Sequence, residues 1–140
     1  MGHIFFNMLG LFFLGRAVEE MYGQKEYLRF YMTAIVACSL IWAVGMMIFD
    51  PPLVFRADKP ISILLGASGA VSAVVMLFIF RNPQATMLMF PIPIPIKAWV
   101  VGVLMIAGNI YLSFQSPKDG SNIAWSVHLT GIAFAYLYFR

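Results

Sequence analysis

Charge is scarce in this sequence. Only 11% of its 140 residues are Asp, Glu, Lys or Arg, where ordinary soluble domains carry about a quarter. Together with 61% hydrophobic residues and a mean hydropathy of +0.85, that shortage excludes a water-soluble domain and marks a membrane protein. Cysteine is limited to Cys38, inside an apolar run, which excludes a disulfide framework and a cysteine metal site within the chain. No basic stripe is present. Nine basic and six acidic residues are spread over the loops for a net charge of +3, which fits membrane topology and not nucleic-acid binding. Met1 is followed by membrane-type sequence with no charged flank and no cleavage-site pattern, so the start does not read as a signal peptide.

What is present is a set of apolar stretches at residues 3–22, 27–49, 66–80, 97–114 and 123–138. They predict one domain over residues 1–140, an all-α polytopic membrane bundle of about five transmembrane helices joined by short loops. Pro51, Pro52 and Pro60 mark the loop over 50–61, and Arg81-Asn82-Pro83 stops the third helix. The run Pro91-Ile92-Pro93-Ile94-Pro95 excludes helix, because alternate residues lack a donor and fix their own φ, and it predicts an extended connector at one membrane face. If successive spans cross the bilayer, one face collects Arg16, Lys25, Arg29, Arg81, Lys97 and Arg140, and the other Arg56, Lys59 and Lys118. The positive-inside rule makes the first face the inner one. The N-terminus then lies outside, which predicts that a further helix precedes this stretch.

Depth arithmetic brings the polar residues of the spans together. At about 1.5 Å per residue, Ser68, thirteen residues before Arg81, lies about 20 Å from the inner interface and about 10 Å below the outer one. His128, twelve residues before Arg140, comes out at about 18 Å, and His3, thirteen before Arg16, at about 20 Å. Asn7 follows His3 by one turn on the same helical face. Polar groups at such depth face a bundle interior or a wet cavity. The acidic residues all fall in loops or at span ends, which leaves a Ser-His dyad as the catalytic arrangement in place of a triad with a carboxylate. A metal held by His3 and His128 lacks a third ligand at that depth.

Gly69 with Ala73 on the serine helix, and Gly131 with Ala135 on the histidine helix, form small-xxx-small pairs that let backbones approach. Such packing brings a hydroxyl within reach of an imidazole, as activation of a weak nucleophile requires. At a helix start the backbone N–H groups around Ser68 lack intrahelical acceptors and are available to an oxyanion, with His3 and Asn7 placed to add to them. Taken alone, a Gly-Ala-Ser-Gly stretch also reads as simple helix packing.

Gly66-Ala67-Ser68-Gly69, His3-Ile4-Phe5-Phe6-Asn7 and His128-Leu129-Thr130-Gly131 together resemble the G-x-S-G, H-x-x-x-N and H-x-x-G motifs of the rhomboid intramembrane serine proteases, in the family's order and on separate spans. The resemblance runs over essentially all 140 residues and corresponds to helices two to six of the family's six-helix core. The first helix and its membrane-dipping loop are not in the sequence. The resemblance implies Ser68 as nucleophile and His128 as general base and acid. It implies an oxyanion hole of His3, Asn7 and the Ser68 N–H, no cofactor, and transmembrane proteins of the same bilayer as substrates. It also gives residues 97–114 and 115–122 the roles of lateral gate and cap. Ser72 stands where many members carry an aromatic that stacks on the base, and Val127 where alanine usually precedes the histidine. The missing aromatic and the proline connector point toward the mitochondrial branch, although the membrane expected first is a bacterial inner membrane, with an organellar one second. Two other functions fit the same frame: a non-proteolytic relative that binds transmembrane clients, and a small transporter subunit.

Overall fold

The computed structural model describes residues 2–49, 68–89, 94–115 and 122–140. Expectations that fall on 50–67, 90–93 and 116–121, including Gly66 of the serine motif and most of the cap, lie outside these residues. The first helical run is α1 (Gly2–Gly10), a π-helical turn (Leu11–Gly15) and α2 (Arg16–Tyr22). Gly10, Gly15 and Arg16 all keep right-handed helical angles, so the run continues through the wide turn. It stops at Gly23, whose φ of 85° suits glycine alone and whose N–H closes on the Glu19 carbonyl at 2.7 Å.

Then come α3 (Gln24–Phe49), α4 (Ser68–Arg81), strands β1 (Thr86–Met89) and β2 (Ile94–Lys97), α5 (Ala98–Gln115) and α6 (Asn122–Phe139). Among the described helices, α3 alone is long and apolar enough to cross a membrane by itself, over the 22 residues Gln24–Gly45. The 14 residues of α4 rise about 21 Å, less than the roughly 30 Å of hydrocarbon. If Arg81 lies at one membrane boundary, a helix of that length begins inside the bilayer, and its first residue is Ser68.

The all-α expectation holds, and the structure adds one short hairpin to it. The proline-rich connector is extended where it is described, but it also pairs: β1 and β2 form an antiparallel hairpin with Thr86 opposite Lys97 and Met89 opposite Ile94. Pro95 is tolerated because both strands of a two-stranded sheet are edges. The hairpin leads straight into α5, whose first N–H groups are taken up by the turn after α4: Ala98 donates to the Ala85 carbonyl at 2.9 Å and Trp99 to Pro83 at 3.0 Å.

Helix α4 is the centre of the bundle. Ser68 through Val74, Met76, Leu77 and Ile79 are buried, while Phe12, Phe13, Leu40, Phe114 and Leu137 on the surrounding helices point outward. Outward aromatics and leucines are what lipid, not water, solvates. The closest neighbour of α4 is α6. A Cβ added to Gly131 would stand 2.0 Å from the Gly69 carbonyl oxygen and 3.3 Å from the Ala73 nitrogen, so the backbones themselves touch. Ala73 and Ala135 are fully buried beside them.

At the Arg81 end of the bundle a polar and aromatic cluster ties four segments together. The Arg81 guanidinium lies 5.6 Å from the Tyr22 ring centre and 5.9 Å from that of Phe139. Tyr138 donates to the Glu26 carboxylate, which also pairs with Arg29 at 3.5 Å. Phe30 packs on Tyr138 with ring centres 4.8 Å apart.

The glycine contact yields a contrast. Gly131→Ala should push α6 off α4 and cost about 1–3 kcal/mol, whereas Gly45→Ala, where an added Cβ meets nothing within 4 Å, should be neutral or gain up to about 1 kcal/mol from helix propensity. Thermal unfolding of the two variants in detergent checks this; equal midpoints would contradict the packing described.

Candidate active site

Ser68 opens α4 and is 8% exposed. Its position at the helix start leaves its N–H without an intrahelical acceptor and at the positive end of the helix dipole. One turn on, the Ser72 hydroxyl donates to the Ser68 carbonyl at 2.9 Å. That bond occupies the Ser72 hydroxyl within its own helix and leaves the Ser68 side chain as the one turned to a neighbouring helix.

The neighbour is α6. His128 Nε2 lies 3.0 Å from Ser68 Oγ, and on the other side of the ring Nδ1 lies 3.0 Å from Asn109 Oδ1 of α5. Asn109 in turn donates from Nδ2 to the Met105 carbonyl at 2.7 Å. Three helices therefore share one line of hydrogen bonds, from the α5 backbone through amide and imidazole to the hydroxyl. The glycine contact makes this possible: His128 stands three residues before Gly131 and Ser68 one before Gly69, so the α4–α6 touch point lies just inward of the pair. Behind it, Cys38 of α3 sits 3.8 Å from the Val127 carbonyl and closes the space around Gly69.

The first helical run comes in from another side. A Cβ on Gly10 would lie 3.5 Å from Val71 Cγ1, and eleven residues further on Asn82 Nδ2 lies 3.1 Å from Met21 Sδ, a sequence offset of 61 in both cases. The two helices thus run in the same direction in constant register. Three residues before Gly10, on the same face, the half-buried Asn7 is level with Ser68. His3 belongs to α1 one turn nearer the outer end; its side chain lies outside the described residues.

A hydroxyl held by a neutral imidazole nitrogen at this distance can be deprotonated as it attacks an electrophilic carbon. The N–H groups of a helix start can accept the negative charge that then develops on oxygen. The geometry suits acyl transfer.

Asn109 is the member that sequence reasoning missed, because the partner sought for the histidine was a carboxylate. The same depth rule would have found it. Asn109 lies twelve residues after Lys97, about 18 Å from the inner face, the level calculated for His128.

The family model described as Rhomboid domain matches residues 1–140. RHOMBOID-like protein 12, mitochondrial, of Arabidopsis thaliana is 35% identical over 140 residues, which cover 96% of this chain and 40% of that protein. Rhomboid protein 1, mitochondrial, of Saccharomyces cerevisiae is 30% identical over 141 residues, covering 97% of this chain and 36% of the yeast protein. The chain thus spans about two fifths of the length of these curated relatives. No solved structure matches. Both relatives bear mitochondrial names, and the expectation of a bacterial inner membrane draws no support from them.

Ser72 gives a test of this frame. Ser72→Ala removes a hydroxyl used only within its helix and should change stability by less than about 1 kcal/mol. Ser72→Phe places at this buried position the aromatic that many family members carry and should cost about 1–3 kcal/mol by overpacking. Unfolding midpoints in detergent measure both.

Proposed function

This chain belongs to the rhomboid family of helical membrane proteins, and from that premise we propose that it is an intramembrane serine endopeptidase that cuts transmembrane segments of other membrane proteins. The observation that supports the reading best is the 3.0 Å approach of His128 Nε2 to the hydroxyl of Ser68 at the start of a buried helix. In this scheme Ser68 Oγ attacks the scissile carbonyl as His128 Nε2 takes its proton. The carbonyl oxygen becomes an oxyanion held by the Ser68 N–H, with Asn7 and His3 as further donors. Collapse breaks the peptide C–N bond, and His128 returns the proton to the leaving amine. Water then attacks the acyl-enzyme, giving its proton to His128, and as the C–Oγ bond breaks His128 returns that proton to Ser68 Oγ, leaving a new carboxyl terminus on the product. The scheme requires no cofactor.

Its partners are transmembrane substrates and the bilayer that delivers them. Ser68 lies nearer the outer end of the bundle, so the cut falls near the outer interface. We further place the protein in a mitochondrial or other organellar membrane, by its likeness to the two mitochondrial relatives.

The test is cleavage of a fluorogenic transmembrane substrate by the full-length protein reconstituted in liposomes, beside labelling by a fluorophosphonate. Ser68→Ala and His128→Ala should each lower turnover by about 10³-fold or more, and Ser68→Ala should abolish labelling. Undiminished cleavage by Ser68→Ala would overturn the assignment. A folded parent that neither cleaves nor labels would leave the client-binding reading of the same frame.

A further inference from the structure

We propose that Asn109 is the positioning residue for His128: it fixes the tautomer and the aim of the ring from a third helix, with an amide where other serine hydrolases use a carboxylate. The proposal rests on the reading of Ser68 and His128 as nucleophile and base, and it deepens that reading.

The argument begins at the Met105 carbonyl, which can only accept. The Asn109 group 2.7 Å from it is therefore the NH₂, and the group turned to the imidazole is Oδ1. An amide oxygen also only accepts. The hydrogen bond at 3.0 Å thus requires the ring proton on Nδ1. A neutral imidazole protonated there carries its lone pair on Nε2, the nitrogen 3.0 Å from Ser68 Oγ. A backbone carbonyl on α5 thereby dictates, through two hydrogen bonds, that the serine hydroxyl donates and the histidine accepts. The opposite tautomer would point an N–H at Ser68 and leave no base.

Fixing both ring nitrogens also fixes the ring plane, since rotation would cost two hydrogen bonds at once. An amide suits the location. A carboxylate in the same half-buried place would have to be desolvated, and it would hold a proton on His128 more tightly than a neutral partner does.

The experiment uses the full-length protein with Asn109→Leu and Asn109→Asp. Asn109→Leu matches the side chain in size and makes no hydrogen bond; turnover and fluorophosphonate labelling should fall by about 10²-fold with KM little changed. Asn109→Asp restores an acceptor toward Nδ1. It should recover at least tenfold of that loss and move the acidic limb of the pH profile to higher pH, because the carboxylate stabilises the imidazolium. A merely structural role would not move that limb.

The ¹⁵N chemical shifts of His128 give a readout that needs no cleavage. In the Ser68→Ala background they should report the Nδ1–H tautomer, and Asn109→Leu should abolish that preference. Asn109→Leu with turnover within about twofold of the parent, or a folded Asn109→Leu that keeps the Nδ1–H form, would overturn the proposal. If the parent cleaves nothing while the tautomer still depends on Asn109, the positioning role stands and the protease reading falls.

Discussion

Two backbones touch at Gly131 and Gly69, and the rest of the site follows from that contact. Within lipid there is little hydrophobic force to press one apolar helix on another, so association depends on close packing and on polar groups that find partners. Gly131 removes the side chain that would keep α6 away, and the Gly69 carbonyl occupies the space. The helices run in the same direction from this point. A residue shortly before Gly69 and another shortly before Gly131 therefore emerge together on the outer side, and they are Ser68 and His128. The short length of α4 adds the second condition, because it brings a helix start with its free N–H groups to the same place.

The polar line across α5, α6 and α4 shows how a membrane interior handles such groups. Each member has a partner: the Asn109 amide bonds to its own helix and to the histidine, and the histidine bonds to the serine. No buried side-chain nitrogen or oxygen among the described residues lacks a hydrogen bond. In a medium that supplies few competing partners, such completeness keeps three helices in one register.

Much of this was legible in the sequence, for a physical reason. Depth in a bilayer is nearly a linear function of position along a helix, so Ser68 and His128 could be brought to one level by counting residues from Arg81 and Arg140. Asn109 obeys the same rule and was passed over only because an amide was not considered as a histidine's partner. The hairpin was hidden differently. The proline run declares itself extended, but what it pairs with depends on Thr86 to Met89, which carry no turn or alternation signal of their own. The π-turn at Leu11 to Gly15 was illegible because its residues are apolar whatever the pitch, and composition does not record how many residues make a turn. The short rise of α4 shows only once its first residue is seen at Ser68.

The cluster at the Arg81 end has a mechanical consequence for the opposite one. Arg81 between two rings and Tyr138 on Glu26 anchor the bundle at its base, while Ser68 and His128 meet farther along α6, an 18-residue rod about 27 Å long. His128, eleven residues before the foot at Phe139, is about 17 Å along the rod, so a swing of only about 5° moves its imidazole by about 1.5 Å, enough to part it from a hydroxyl. The alignment of hydroxyl and imidazole is therefore set by the stiffness of a joint at the far end of the bundle, and loosening that joint would part the two groups without touching either.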